Sequence, residues 1–219
     1  MRHIVWDWNG TLLDDLHIVV DAVNVSLSEL GAGPIDAARY RAHYRRPVHL
    51  FYEALLERPV PPEEMAAIDA RFHDAYHASL DRAGLAPDAR SAVAAVVRAG
   101  ATQSVLSMWW HDRLVAAVQA FDLAESMIAV DGHRGRPGET KEDHLRHHVD
   151  QLGRLYRGID PSGIVAVGDI TDDAAAAEAI GIACILYDGG SQPRSHLEAT
   201  GVPVADSLLE AVYLAGVRA

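Results

Sequence analysis

The chain of 219 residues is poor in several things, and each shortage closes off a class of function. It has one cysteine, Cys184, so no internal disulfide can form and a disulfide-held secreted scaffold is excluded. That cysteine lies in the apolar run Ile182-Ala183-Cys184-Ile185-Leu186, the setting of a buried structural thiol rather than a reactive one. No uninterrupted apolar stretch reaches the ~18 residues a membrane span needs. A strand-like run begins directly after Met1-Arg2 and leaves no room for a signal peptide. These features together predict a cytoplasmic protein.

Positive charge is also scarce. Nineteen Lys and Arg face 31 Asp and Glu, and the formal charge of −12 disfavours the polyanions, nucleic acid and anionic membrane, as partners. A small phosphate held in a locally positive pocket is not disfavoured. One basic island exists, made by Arg39, Arg41, His43, Arg45, Arg46 and His49; a solvated helix face and an anion contact both fit it. Lysine is nearly missing, since Lys141 is the only one beside eighteen arginines. Internal repeats and low-complexity tracts are absent, so a solenoid or a linker-rich chain is excluded.

The remaining composition is that of a globular protein, 49% apolar, and long enough for one sizeable core plus a small insert. Short apolar runs at His3–Trp6, Ser104–Leu106, Met127–Val130, Ile164–Val167 and Ala183–Leu186 read as strands. Helical patterns at Asp88–Arg98, His111–Phe121, Glu142–Leu152 and Asp172–Ile180 separate the later ones. This alternation predicts an α/β fold, a Rossmann-like, doubly wound parallel sheet. Between Asp15 and Asp88 no strand is evident. Val20, Val23, Leu27 and Leu30 fall on one helical stripe, and Met65, Ile68, Phe72 and Tyr76 on another after Pro61-Pro62-Glu63-Glu64. We therefore expect a catalytic core of residues 1–15 and 88–219 and an inserted all-helical cap of residues 16–87. Its hinges would lie near Asp14–His17 and Leu85–Asp88, and the insert would act as a lid. His133 to Gly138 reads as a loop.

Open parallel sheets bind ligands at the carboxyl ends of their strands, so the polar residues there carry the chemistry. Asp7 follows the first strand and Ser107 the second. Lys141 lies beyond the third, past the loop. Gly168-Asp169-Ile170-Thr171-Asp172-Asp173 follows the fourth. A lone lysine in an arginine-rich chain marks a position that needs a compact ammonium. Asp169 and Asp173 could simply cap a helix start. Yet carboxylates facing Asp7 across a rim repel one another unless a cation lies between them, and hard oxygen donors suit Mg²⁺. An EF-hand reading of Asp7-x-Asn9 fails, because Gly10 comes too early and the twelfth position is Ile18. His144, His147 and His148 have metal-like helical spacing but no evident third ligand, and are expected at the surface. Trp109 and Trp110 are expected to pack rather than face a substrate.

The stretch Asp7-Trp8-Asn9-Gly10-Thr11-Leu12 resembles the first motif of the haloacid dehalogenase superfamily, Asp-x-Asp-Gly-Thr-Leu, with Asn9 in place of the second acid. Ser107, Lys141 and Asp169 with Asp173 resemble its three later motifs, in the same order and over nearly the whole chain. The resemblance implies a phosphohydrolase of the kind that carries a helical cap, similar to phosphoglycolate phosphatases. It implies attack by Asp7 on phosphorus and an aspartyl-phosphate. It also implies Mg²⁺ held by Asp7, the Asn9 carbonyl and Asp169, with Asp173 fixing that arrangement. Gly10, Thr11, Ser107 and Lys141 would bind the phosphoryl group, and Arg45 and Arg46 an anionic tail of a small phosphorylated substrate. In related phosphatases the acid two residues after the nucleophile moves a proton, which Asn9 cannot do. The leaving group would then need no acid, or Asp14, Asp15, His17 or His49 would supply the proton, or the chain would mainly bind a phospho-ligand. Dehalogenation fits poorly with paired metal-type acids, and phosphonate cleavage needs a cap lysine that the chain lacks. Oligomeric state is not legible.

Overall fold

The strand that carries the first motif, β1 (His3–Trp6), is buried along its whole length, as a central parallel strand must be when helices cover both faces. The computed structural model describes residues 1–136 and 138–218. After β1 come β2 (Leu13–Asp14), α1 (Leu16–Glu29), α2 (Ala37–His43), α3 (Val48–Leu56), α4 (Pro62–Ala78) and β3 (Gly84–Leu85). Then follow α5 (Ala89–Arg98), β4 (Thr102–Trp110), α6 (His111–Ala120), β5 (Val130–His133), α7 (Lys141–Leu155) and β6 (Ile164–Gly168). The chain ends with α8 (Thr171–Ile180), β7 (Ala183–Tyr187), α9 (Arg194–Glu198), β8 (Val204–Ala205) and α10 (Leu208–Leu214).

Six strands form one sheet in the order β5-β4-β1-β6-β7-β8, and every pairing is parallel. This is the doubly wound α/β arrangement expected from the alternation of strand and helix. The strand order reverses direction beside β1, which makes the carboxyl end of β1 the switch-point crevice of such sheets. In the core of this unit, Val5, Leu106 and Ala166 of the sheet pack against Leu145 and Leu152 of α7 and Ala177 of α8. A fully buried leucine contributes roughly 1.5–3 kcal/mol, so α7 is held to the sheet mainly by its apolar stripe.

By its contacts the chain divides into two compact units. One comprises residues 1–13, 85–190 and 194–219, and the other residues 14–84 with 191–193. The second unit contains α1 to α4 and has its own core. Val20, Val23 and Leu27 of α1 meet Phe51 and Tyr52 of α3 and Ile68 of α4, with Leu30, Met65 and Phe72 partly buried against them. Both apolar stripes read from the sequence thus face this core. Tyr76 donates from its hydroxyl to Asp15 Oδ2 at 2.6 Å, which places Asp15 in a buried hydrogen bond.

Some boundaries differ from expectation. The second strand of the sheet runs from Thr102 to Trp110, well past Leu106. The third strand is Val130–His133, later than Met127–Val130, because a 3-10 turn over Ala124–Ser126 occupies the approach and Met127 closes it. Ser107 lies opposite Gly132, and pairing reaches the first residue of the segment read as loop, with Trp110 opposite His133. A short strand, Gly84–Leu85, lies in the stretch read as free of strands, and pairs with Leu13–Asp14. Two residues of backbone pairing leave no periodicity to read.

Candidate active site

Asp7 continues the β1 ladder by one bond, its N–H donating to Val167 O at 2.8 Å, and the chain then leaves the sheet. Trp8 O closes the turn, accepting from Leu13 N at 2.8 Å and Thr11 N at 3.3 Å. Gly10 lies in this turn with φ +75°, a conformation that costs glycine little and most side chains much. The turn directs Asp7 into the crevice and folds Asn9 and Thr11 back beside it.

The second carboxylate wall follows β6. Asp173, in the first turn of α8, accepts with Oδ2 from Asp169 N at 3.2 Å and Ile170 N at 3.1 Å. The acid thus serves a helix start and aims its other oxygen at the crevice. Gly168 is required for this approach, because a Cβ there would lie 2.1 Å from Asp173 Cγ. Gly190 plays the same part for Asp169, whose Cβ would lie 2.3 Å from one added at Gly190. Gly190 escaped the sequence reading; the Gly189-Gly190 pair just beyond a strand end was the available signal.

Lys141 opens α7 behind a capping box, in which Thr140 Oγ1 accepts from Asp143 N at 3.1 Å and Asp143 Oδ2 from Thr140 N at 3.1 Å. Its Nζ donates to Asp7 Oδ1 at 2.6 Å and pairs with Asp173 Oδ1. Burial favours the neutral amine, but Asp173 and Asp7 outweigh it and hold the ammonium well above the usual lysine value. For Asp7 burial dominates. It raises the carboxyl to about 6 against the pull of Lys141, with Asp173 adding to the rise.

Ser107 Oγ donates to Asn9 Oδ1 at 3.4 Å and accepts from Trp109 N at 3.1 Å. Thr11 Oγ1 donates to Asp169 Oδ1 at 3.4 Å. Among the described residues, Asp7, Asp169 and Asp173 form the one group arranged to hold a metal ion, with a ligand atom from each within 4.8 Å of the others. All three are buried, and Asp7 and Asp173 share the one ammonium of Lys141. Buried like charges at this spacing fit a divalent cation with hard oxygen ligands.

The fold therefore gathers Asp7, Asn9, Gly10, Thr11, Ser107, Lys141, Asp169 and Asp173 at one end of the sheet. Arg45 and Arg46 belong to the helical unit, where both are exposed between α2 and α3, and Arg45 Nε donates to Leu50 O at 3.3 Å. Two expectations are overturned. His144 and His148 are 3% and 1% exposed rather than at the surface, because a buried carboxylate on β5, Asp131, faces them. Trp110 is 51% exposed beside His133, so it does not pack as expected. Cys184 is buried, as anticipated, and burial pushes its thiol far above the ordinary range.

Comparison with known proteins places the chain in a family. The chain is similar to phosphoglycolate phosphatase from Mesorhizobium japonicum, 25% identical over 95% of this chain and 96% of that one. It is also similar to phosphoglycolate phosphatase from Caulobacter vibrioides, 27% identical over 85% and 79%. A solved haloacid dehalogenase-like hydrolase from Streptococcus pneumoniae superposes with a TM-score of 0.82 over 98% of both chains at 16% identity, which is a likeness of fold. The model of the haloacid dehalogenase-like hydrolase family matches residues 1–181, and the chain belongs to that family of hydrolases.

Proposed function

We propose that the protein is a Mg²⁺-dependent phosphatase acting on a small phosphorylated metabolite, with Asp7 as nucleophile. The observation that carries this reading is the buried carboxylate cluster around the only lysine, at the carboxyl end of β1. Phosphoglycolate phosphatases as relatives support a small phosphorylated acid as substrate.

Asp7 lies at the strand end with a carboxyl near 6, so the carboxylate is its main form at neutral pH. An oxygen of that carboxylate attacks phosphorus as the bond to the leaving oxygen breaks, and an aspartyl-phosphate forms on Asp7. Water then attacks phosphorus, releasing inorganic phosphate and restoring the carboxylate. Lys141, tied to Asp7 and Asp173, places a fixed positive charge where the equatorial oxygens gather negative charge. The Ser107 and Thr11 hydroxyls would supply neutral donors. Asp7, Asp169, Asp173 and the Asn9 carbonyl would hold Mg²⁺, which when bound neutralises charge on the phosphoryl group. The basic surface of the helical unit, Arg45 and Arg46, would meet an anionic tail, with that unit acting as a cap.

Asn9 limits the chemistry. Its amide can neither give nor take the leaving-group proton, and its Oδ1 already accepts from Ser107. Good leaving groups such as acyl phosphates or phosphoanhydrides would suffer least. The same residue motivates a second reading, a phospho-ligand binding protein with little turnover. Phosphate release from a substrate panel separates the two. Turnover dependent on Mg²⁺ and lost by about 10³-fold or more in Asp7→Asn is the expected result. Full release by Asp7→Asn would overturn the nucleophile assignment, and absence of turnover on every compound would favour the binding role.

A further inference from the structure

A second set of buried polar side chains lies in the same unit, below the strand ends and outside the reacting cluster. Asp131, on β5, is 4% exposed. Its Oδ1 pairs with Arg134, in the loop that leads to α7. Its Oδ2 faces His144 Nε2 and His148 Nδ1, both at 3.5 Å, an ion-pair distance rather than a good hydrogen bond. His148 Nε2 lies 2.8 Å from Ser104 Oγ on β4, and the other side of that hydroxyl meets His3 Nε2 at 2.9 Å. His3 Nδ1 in turn lies 2.8 Å from Thr102 Oγ1. A carboxylate only accepts, so a hydrogen bond to it requires the proton on the ring nitrogen that faces it, and a flipped ring would exchange the nitrogens that face Asp131 and Ser104.

Asp131, His148 and Ser104 are the residue types of a hydrolytic triad. Ser104 is fully buried and hemmed in by two imidazoles, so no substrate reaches it. The arrangement has to be explained in another way. Lys141, His144 and His148 stand at i, i+3 and i+7 of α7, one face of the helix, and that face meets the sheet. The apolar residues of this face, Leu145, Val149 and Leu152, bury area but fix neither axial register nor rotation to a fraction of an ångström. The polar pair does so at two points, Ser104 on β4 and Asp131 on β5. The segment holding Lys141 is fastened on both sides to one carboxylate, through Arg134 before it and the two histidines after it.

We propose that Asp131 is a positioning residue for Lys141: with Arg134, His144 and His148 it locks α7 in the register that brings Nζ against Asp7. The proposal rests on the reading of Lys141 as the ammonium that serves the phosphoryl group. A displacement of about 1 Å at a reacting group can cost 10²-fold in rate, so a lock of this kind has a measurable yield.

The test uses the full chain and exploits its single lysine. Lysine-selective ¹³C/¹⁵N labelling gives one lysine side-chain signal, and its Nζ proton exchange reads the seating of Lys141 directly. We expect Asp131→Asn to accelerate that exchange by at least about tenfold. Its kcat should fall by about ten- to a hundredfold with little change in KM. Leu152→Ala, on the same helix face but away from the lock, should lower Tm and leave the exchange as in the parent. Unchanged exchange in folded Asp131→Asn would overturn the proposal, and so would equal acceleration in Leu152→Ala. If Asp131→Asn does not fold, His148→Gln carries the same test, and unchanged exchange in it is likewise fatal. Failure of the functional reading looks different: Asp131→Asn would still free Lys141, while Asp7→Asn would still release phosphate.

Discussion

Two buried polar clusters share one sheet, and they are built on opposite principles. At the strand ends, three buried carboxylates, Asp7, Asp169 and Asp173, crowd within 4.8 Å of one another, and two of them share the ammonium of Lys141. Below them, Asp131 is matched by one guanidinium and two imidazoles, and His3 by two hydroxyls. Titration follows the same division. Burial raises the Asp7 carboxyl despite Lys141. Burial also works to raise Asp131, but His144, His148 and Arg134 together carry it well below the ordinary carboxylate range. A crowded buried cluster of like charges is costly and marks a place where something else is to be bound. A balanced one marks a place where geometry is to be fixed.

The largest effect should come from removing the ammonium that two carboxylates of the crowded cluster share. Lys141→Met removes the ammonium that Asp7 and Asp173 share. It should cost about 3–5 kcal/mol of stability without divalent ions, the order found when one member of a buried pair is deleted. Turnover should fall by about 10²–10³-fold, as when one donor to a developing oxyanion is lost. Lys141→Arg should restore charge and much of the stability but little activity, because a guanidinium does not fit the space of an ammonium. Chemical denaturation with chelator, beside initial rates with Mg²⁺, checks both. Equal activity in Lys141→Arg would contradict the argument from the single lysine.

A smaller effect, in the opposite direction, is expected at Asn9. Asn9→Asp adds a group able to carry the leaving-group proton. It should raise turnover of alkyl phosphates by up to about 10²-fold, the lower end of general acid–base help. Activated phosphates should gain little. The ratio of rates on the two substrate types, parent against variant, is the measurement. An equal gain on both would mean that the added charge acts through metal affinity and not through a proton.

The two clusters were not equally legible in the sequence. The crowded one is assembled at the carboxyl ends of parallel strands and at the helix starts that follow them, so strand and helix order brings Asp7, Lys141, Asp169 and Asp173 to one rim with Ser107 of β4. The balanced one depends on which helix face meets the sheet and on what the facing strand presents. His144 and His148 read as surface residues because Asp131 fell between the expected strand, ending at Val130, and the expected loop, starting at His133. The edge strand begins at Val130, and with that shift Asp131 moves to a buried position. Gly168 and Gly190 illustrate the same limit. Their meaning lies in close approach by Asp173 and Asp169, and spacing along a chain does not encode a distance across a crevice.

The finest discrimination between the clusters is thermodynamic, because they respond to acid with opposite sign. His3 is held neutral, its value lowered by burial, and further by His148, from 6.5 to about 3. Below 6.5 the unfolded chain takes up a proton that the folded chain refuses, so this group's contribution is complete above 6.5 and is lost as pH falls toward 3. Asp7 runs the other way. Its folded value, about 6, exceeds the ordinary 3.8, so between these values the folded chain binds more protons and acid stabilises it. Without divalent ions the two slopes, each roughly 1.4 kcal/mol per pH unit at most, oppose one another between pH 6 and 3.8. His3→Gln should remove the acid-destabilising limb and flatten or reverse the dependence of unfolding free energy in that window. Asp7→Asn should remove the opposing limb and steepen the loss. Urea unfolding in chelator at half-unit steps from pH 7 to 4 reads both slopes. If the two variants shift the slope in the same direction, the opposite electrostatic characters assigned to the clusters are wrong.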